Sequence, residues 1–235
     1  MSQAFTIYSD ISERLWRDAV ITANSEVLTP TEAAVVSSVA VRDVNRMIDE
    51  KILPEGLYKI GRDRSRQFVA DACTFISFYF RSANQLTSEE RVRTITAASK
   101  RLEKEPTEKL EKEWIIRQEF LSIDLAPFLR SARRRLARLA AARALVVEDA
   151  DILSGTPVIK STRIPVYDVA TSVASGLPTE RILAAYPGLT AEALELAALY
   201  AEANPQRGRP RRLPSLPAGV VIVSSRRKPR RKPAS

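Results

Sequence analysis

Apolar residues recur at helical spacing over most of the chain, and this pattern predicts a mainly α-helical fold. Thr29 precedes a proline at the first position of a predicted helix, and Glu32 follows it three residues later, which is the pattern of a capping box. After an interruption at residues 37–38, residues 41–50 predict a second helix with one buried face, formed by Val41, Val44, Met47 and Ile48. Two short helices joined by a tight turn are the outline of a helix-turn-helix.

Two short apolar runs, residues 57–60 and 67–69, flank the polar and basic turn 61–66. This arrangement predicts a β-hairpin, which we call the wing (residues 57–69). Residues 70–83 predict a strongly apolar core helix, and Ser88 is expected to cap another helix that runs to about residue 104. A break is expected at residues 105–108, followed by a strand or irregular pairing segment at 114–125.

Residues 29–34, 41–45 and the Leu53-Pro54 pair before the wing resemble the winged helix-turn-helix of MerR-like DNA-binding proteins. If the second helix enters the major groove, its free polar residues can reach base edges or phosphates, and the wing arginines lie near phosphate. The predicted DNA-binding residues are Arg42, Asn45, Arg46, Arg62, Arg64 and Arg66, with Asp49 on the same helix face. The alternative is a solvated helix face and a solubilising turn.

Pro127 begins a predicted helix that holds six arginines and no acid between residues 130 and 143. Its leucine stripe, Leu129, Leu136 and Leu139, predicts that one side packs. A helix that bridges two domains and a nucleic-acid contact both remain open for this segment.

Residues 147–203 predict three short helices around one core. Pro165 starts the first helix and Gly176 ends it, Pro187-Gly188 stop the second, and Thr190 caps the third. Lys160 and Arg163 precede these helices and could contact phosphate or pair with Asp149, Asp151 or Asp168.

The same segment resembles a small prokaryotic family of unassigned biochemical function whose members are often encoded beside a toxin with a PIN-like nuclease fold. The resemblance lies in residues 152–166, 175–190 and 192–201, including Gly155-Thr-Pro-Val-Ile and Thr162-Arg-Ile-Pro-Val. It implies a compact trihelical, homeodomain-like unit and an antitoxin of a VapBC-like type II toxin–antitoxin system.

The net charge of +9 belongs to one end of the chain. Residues 204–235, which we call the tail, hold ten of the 37 cations and no acid, so the preceding residues carry 27 cations against 28 acids. Six of the fourteen prolines also lie in the tail, which favours an extended segment that is disordered when free. Like-charge blocks at chain ends are either solvating tails or arms that bind polyanions, and the excess of arginine over lysine favours an arm.

The tail contains two candidate elements for binding an acidic nuclease toxin. An arginine cluster could neutralise the carboxylates of a PIN-like metal site, and an apolar β-branched run could add a strand to a sheet edge of the partner. The predicted toxin-binding residues are Arg207, Arg209, Arg211, Arg212, Val220, Val221, Ile222 and Val223. Alternatively, the sequence 207–210 resembles the core of an AT-hook, which enters an A·T-rich minor groove.

Several function classes have no support in the sequence. The chain lacks histidine, a Gly-rich phosphate loop and a Cys/Asp/Glu cluster at metal spacing, so we expect neither catalysis nor a metal or other cofactor. Cys73 lies in an apolar run and is expected to be a buried thiol in a reducing compartment. No apolar run approaches a membrane span and the first residues lack a signal-peptide pattern, which predicts a cytoplasmic protein that does not bind membranes.

Taken together, these patterns predict four segments: a winged helix-turn-helix domain (1–84), a helical connector with a possible strand (85–146), a trihelical domain (147–203) and the tail (204–235). The expected function is that of an antitoxin that neutralises a PIN-like ribonuclease toxin and represses its own operon by binding double-stranded operator DNA. We expect a homodimer that also forms a hetero-oligomer with its toxin. The alternative is a stand-alone transcriptional regulator with an AT-hook-like arm.

Overall fold

Helices account for most of the secondary structure in the computed structural model, which describes residues 26–206, and the predicted mainly α-helical fold is confirmed. In this range the helices are α1 Pro30–Ser37, α2 Val41–Asp49, α3 Ala72–Arg81, α4 Ser88–Leu102, α5 Thr107–Lys112, α6 Ala126–Leu145, α7 Val166–Ala174, α8 Thr179–Ala185 and α9 Ala191–Ala203. The strands are β1 Val27–Leu28, β2 Tyr58–Ile60, β3 Arg66–Val69, β4 Ile115–Gln118, β5 Leu121–Asp124, β6 Val146–Val147 and β7 Val158–Ile159.

The first helix pair, α1 and α2, forms as the sequence predicts. The side chain of Thr29 accepts a hydrogen bond from the Glu32 amide, and the Glu32 carboxylate accepts one from the Thr29 amide at 2.9 Å, which completes the capping box. Ser38 ends α1 in the left-handed region, at φ 59°. Val44, Met47 and Ile48 of α2 are buried, but Val41 is 38% exposed because it lies in the first turn, at the edge of the packed face.

The wing hairpin also forms as predicted, with β2 and β3 antiparallel and Ile60 opposite Arg66. A third strand, β1, was not predicted. It pairs with the other edge of β3, where Leu28 lies opposite Phe68, and the sheet order is therefore β1-β3-β2. The sheet ties the segment before α1 to the wing.

One hydrophobic core includes residues from both the first predicted domain and the predicted connector. Trp114 is fully buried and packs edge-to-face on Phe75 of α3, with 5.6 Å between ring centroids. Ile95 of α4, Leu110 of α5 and Leu139 of α6 belong to the same core. Residues 85–146 therefore form a large part of this core and do more than connect two domains.

Two local predictions in this segment need correction. Thr87, not Ser88, is the N-cap of α4, where it forms a second capping box with Glu90. The break predicted at residues 105–108 is present between α4 and α5 but ends at Pro106, which is the N-cap of a helix that was not predicted and whose Leu110 is fully buried. The pairing segment at 114–125 is a regular two-stranded hairpin, β4–β5, with Gln118 opposite Leu121.

A second hydrophobic core holds α7, α8 and α9 together, as predicted for three short helices. Its buried residues are Ile159, Val166, Val169, Ile182, Leu189, Leu194 and Ala197. Gly176 follows α7 with φ +72°, a conformation that favours glycine, and Thr190 caps α9. The short β6–β7 pair precedes the helices, with Val147 opposite Val158.

The two cores are packed against each other through α6 and α9. Helix α9 contacts α7, α6 and α1, and Ala203 at its end belongs to the first core. Leu145 at the end of α6 packs on the second core. The described residues up to Pro205 consequently form one compact unit.

Candidate nucleic-acid interface

The face of α2 opposite its buried residues carries the side chains that the sequence assigns to DNA. Arg42 is 89% exposed and makes only a 3.5 Å contact with the neighbouring Asp43. Arg46 is also exposed, but its Nε donates to the Glu50 carboxylate at 2.6 Å. This hydrogen bond and the charge of Glu50 raise the pKa of Arg46, so its guanidinium is already engaged within the helix.

Arg66 connects the wing to α2. Its two terminal nitrogens donate to both carboxylate oxygens of Asp49, at 2.6 and 3.2 Å. Nη1 also donates to the backbone carbonyl and the side-chain oxygen of Asn45, at 3.2 and 3.1 Å. A bidentate Arg–carboxylate pair fixes both distance and orientation. Arg66 therefore holds the wing against α2, and it is half-buried rather than extended toward solvent.

Asn45 is occupied by the same contact. Its side-chain oxygen accepts from Arg66, and its amide nitrogen donates to the Val41 carbonyl at 3.1 Å. Reading adenine bidentately needs both of these groups. Asn45 is thus placed as a partner of Arg66 and has to give up both bonds before it can read a base.

The tip of the wing is an exposed turn in which Asp63 is bonded to Ser65 and two arginines, Arg62 and Arg64, are exposed. The Gly61 amide donates to the Ser65 carbonyl at 2.8 Å, and the Ser65 hydroxyl donates to the Asp63 carboxylate at 2.6 Å. The hydroxyl and amide of Ser65 lower the pKa of Asp63. A Cβ on Gly61 would lie 2.6 Å from atoms of Asp63 and Ser65, so the turn has no room for a larger residue without losing this bond.

The predicted DNA-binding residues therefore divide into two groups. Arg42, Arg62 and Arg64 are exposed, and neither wing-tip arginine forms an ion pair with a carboxylate between residues 26 and 206. Asn45, Arg46 and Arg66 are held by intramolecular partners. The sequence reveals the cations but not this division, because Asp49 and Arg66 are brought together only by the packing of the wing on α2.

The arginines of α6 mostly contact the rest of the molecule. Arg133 pairs with Glu111 at 2.8 Å and Arg138 with Glu195 at 2.6 Å, while Arg130 donates to the Glu111 carbonyl. These partners lie on α5 and α9, and the contacts support the interpretation that α6 bridges the two parts of the chain on either side of it.

Arg143, at the end of α6, makes the most buried of these contacts. It pairs with Glu26 and with Glu32, whose side chain is 7% exposed and lies 2.8 Å from Nη2. Burial opposes the charge on Arg143, but the hydrogen bonds and charges of Glu32 and Glu26 outweigh it and raise the Arg143 pKa. Glu32 is also the capping residue of α1, so one carboxylate joins α6 to the start of the α1–α2 helix pair.

Lys160 and Arg163 are exposed, and within residues 26–206 neither pairs with the acids suggested by the sequence. The predicted toxin-binding residues 207–212 and 220–223 lie outside the described residues.

None of the helices between Glu26 and Gln206 combines the length and apolar composition needed to cross a bilayer. In the same part of the chain, no three His, Cys, Asp or Glu side chains are grouped as metal ligands.

Comparison with known proteins identifies relatives of the chain. Residues 146–201 match the family described as protein of unknown function (DUF433), which agrees with the family segment predicted at 147–203. The chain is 52% identical over 219 residues to the "Uncharacterized protein y4eO" of Sinorhizobium fredii (strain NBRC 101917 / NGR234), covering 92% of this chain and 98% of the relative. No solved structure matches the chain. Because this similarity extends over nearly the whole of both chains, the chain belongs to the same family as y4eO and carries a DUF433 segment at residues 146–201.

Proposed function

We propose that the chain is an antitoxin that binds operator DNA through α1, α2 and the wing and neutralises a PIN-like ribonuclease toxin of a VapBC-like system through its C-terminal region. The observation that carries the DNA-binding half is the pairing of Arg66 with Asp49 and Asn45. This contact fixes a wing whose tip presents Arg62 and Arg64 at a set position relative to Arg42 on α2. A MerR-like winged helix-turn-helix uses the two elements on one DNA duplex.

The arrangement suits a division of roles on DNA. Helix α2 is short and has a polar outer face, which is the kind of element that enters a major groove. The wing-tip arginines are free to contact phosphates on either side of the groove, since Asp63 between them faces Ser65. Arg66 then acts as a positioning residue that sets the angle between the two contacts.

The antitoxin half is supported by the DUF433 segment, since this family is often linked to antitoxins of toxin–antitoxin systems, and by the tail. An arginine-rich arm that follows a compact DNA-binding body suits the carboxylate-lined metal site of a PIN-like nuclease. The sequence order, with the DNA reader first and the arm last, is that expected for a type II antitoxin.

DNA binding is tested by gel retardation of DNA from the upstream region of the gene. We expect the double substitution Arg42→Ala and Arg64→Ala, which removes one exposed arginine from α2 and one from the wing tip, to abolish specific retardation. Arg181→Ala, which replaces an exposed arginine on α8, should leave it intact. Wild-type protein that retards its own upstream DNA no better than unrelated DNA would refute the operator-binding half of the proposal.

Toxin neutralisation is tested by co-expression with the product of the adjacent gene. Truncation after Gln206 removes the arginine cluster but keeps Asn204, whose carbonyl accepts the Tyr167 hydroxyl at 2.8 Å, so the end of α9 stays anchored. We expect the full chain to co-purify with the toxin and block its ribonuclease activity, and the truncated chain to lose inhibition. If truncation leaves inhibition intact and weakens binding to A·T-rich DNA, the tail is an AT-hook-like DNA arm and not the toxin-binding segment. A full chain that neither co-purifies with the adjacent gene product nor inhibits it would support the stand-alone regulator.

A further inference from the structure

The tip of the β4–β5 hairpin contains two residues that a β-turn disfavours. Glu119 has φ +43°, in the left-handed region where glycine, asparagine and aspartate are preferred. Phe120 follows it and is 99% exposed, the most exposed of the large apolar side chains between residues 26 and 206. Neither residue helps the hairpin to form. Such choices, clustered in one two-residue turn, point to a function for the turn.

A groove of about 570 Å³ lies directly beside this phenyl ring, between the hairpin tip and α4. Ala97 of α4 and Leu121 of β5 supply its apolar surface, while Glu90, Arg93 and Gln118 supply its polar rim. The Gln118 side chain donates to Thr94 of α4 at 3.1 Å, and this bond fixes the hairpin against the helix. The exposed ring and the groove therefore keep a constant spacing on one surface.

We propose that this surface binds a second copy of the same chain, with Phe120 of each copy inserted into the groove of the other. A two-fold interface uses the same patch on both subunits, so the patch has to carry both the projecting group and the cavity that receives it. This surface meets the condition, because Phe120 is the projecting group and the groove lined by Ala97 and Leu121 lies next to it.

The charges around the groove fit self-association. Arg93 pairs with Glu89 one turn earlier on α4, and the carboxylate of Glu90 accepts from the amide and hydroxyl of Thr87, at 2.7 and 2.8 Å. The groove lining thus holds one cation, Arg93, and two acids, Glu90 and Glu119, so a two-fold axis can place Arg93 of one copy opposite an acid of the other. The inserted ring also comes within reach of the Arg93 guanidinium, which favours contact with an aromatic face.

The rim argues against nucleic acid as the occupant. Glu89, Glu90 and Glu119 stand close to the groove and would repel phosphates, whereas a protein surface of mixed charge is compatible with them. The interface is linked to the proposed function at one point only. Helix-turn-helix proteins read two half-sites as dimers, and this interface supplies such a dimer.

Sedimentation velocity of the full chain without DNA tests the proposal. We expect a concentration-dependent dimer whose dissociation constant rises at least about tenfold in Phe120→Ser, because the inserted ring is a central apolar anchor. Leu177→Ser, which also replaces an exposed apolar loop residue, is the matched control and leaves the dimer unchanged. A wild-type protein that stays monomeric, or a Phe120→Ser dimer as tight as wild type, overturns the proposal.

Disulfide trapping locates the contact. Chains carrying Ala97→Cys and chains carrying Phe120→Cys are prepared separately, mixed and oxidised, and we expect cross-linked dimers in the mixture. Burial raises the pKa of the natural Cys73 thiol to about 12, which keeps it out of the exchange. A cross-link yield no higher than that of Ala97→Cys mixed with Leu177→Cys would exclude this interface. Both experiments omit DNA, so their failure and a failure of operator binding are separate results.

Discussion

Single arginine side chains in the candidate interface differ in what they contact, and this difference decides their expected roles. Arg62 and Arg64 project from the wing tip, where Asp63 is turned toward Ser65. Arg66 is held by Asp49 and Asn45. The same residue type, within five positions, is therefore expected to contact phosphate in two cases and to position the wing in the third.

Arg66→Ala is expected to weaken operator binding without changing its salt dependence. Loss of the Asp49 contact frees the wing to move, but no phosphate contact is lost. Arg62→Ala or Arg64→Ala, in contrast, is expected to lower the slope of log K against log salt concentration by about 0.9 for each lost contact. Fluorescence anisotropy at several salt concentrations measures both effects, and Asp49→Asn should reproduce the effect of Arg66→Ala. A slope change in Arg66→Ala as large as that in Arg64→Ala would show that Arg66 contacts phosphate.

Asp71, which precedes α3, is expected to destabilise the protein at neutral pH. Burial raises the pKa of its carboxyl above the ordinary value of 3.8, and the charge of Arg133 only partly offsets this. Since the folded state binds the proton more tightly than the unfolded state, stability falls as the pH rises through and above 3.8. We expect Asp71→Asn to raise the free energy of unfolding at pH 7 but not below pH 3.8. Urea denaturation at the two pH values measures this, and an equal gain at both would contradict the pKa argument.

Helix starts could be predicted from sequence because capping is local. Thr29-Pro30 and Thr190 were identified correctly, since the bonds that they make reach only two or three residues along the chain. Strand β1 could not be predicted, because its two residues form a strand only when β3 lies beside them. Helix α5 does not follow from the sequence pattern for a related reason: Pro106 and its polar neighbours indicate a break, and the burial of Leu110 depends on α6.

The two capping boxes provide a matched pair of substitutions. Thr29→Ala and Thr87→Ala are each expected to lower the free energy of unfolding by about 1 kcal/mol. The cost at Thr29 should be the larger, because its partner Glu32 is buried and also holds Arg143, whereas the Thr87–Glu90 box is exposed. Chemical denaturation with unchanged m-values tests the order, and an equal or larger cost at Thr87 would show that the Glu32 contacts are not coupled.

For the molecule as a whole, the two cores are the feature that sequence patterns described least well. The three helices of the second core were predicted correctly, because turn residues such as Gly176 mark their ends. The packing of α9 on α1 and the pairing of Arg143 with Glu32 join residues more than 100 positions apart, and no local pattern reports such contacts. In the candidate site, the arginines can be identified from the sequence. Which of them are exposed and which are held by intramolecular partners depends on tertiary packing.

Arg143→Met is expected to destabilise the whole unit by roughly 1–3 kcal/mol, because it leaves the buried Glu32 carboxylate without its cation. Adding Glu32→Gln removes the unpaired charge and should recover part of the loss. Arg138→Met, which breaks an exposed pair with Glu195, is the control and should cost less than about 1 kcal/mol. The midpoints of urea unfolding give all three values. A loss in Arg143→Met no larger than that in Arg138→Met would mean that the α6–α1 contact does not stabilise the joined cores.

Operator affinity as a function of salt concentration, for the wild-type chain and for the triple substitution Arg42→Ala, Arg62→Ala and Arg64→Ala, is the decisive measurement. If α2 and the wing bind DNA as proposed, the wild-type chain prefers operator over scrambled DNA. The triple variant loses that preference, and its salt slope falls by about 0.9 for each phosphate contact removed. Arg181→Ala, with one exposed arginine removed from α8, should match wild type. An unchanged preference and slope in the triple variant would show that this surface does not bind DNA.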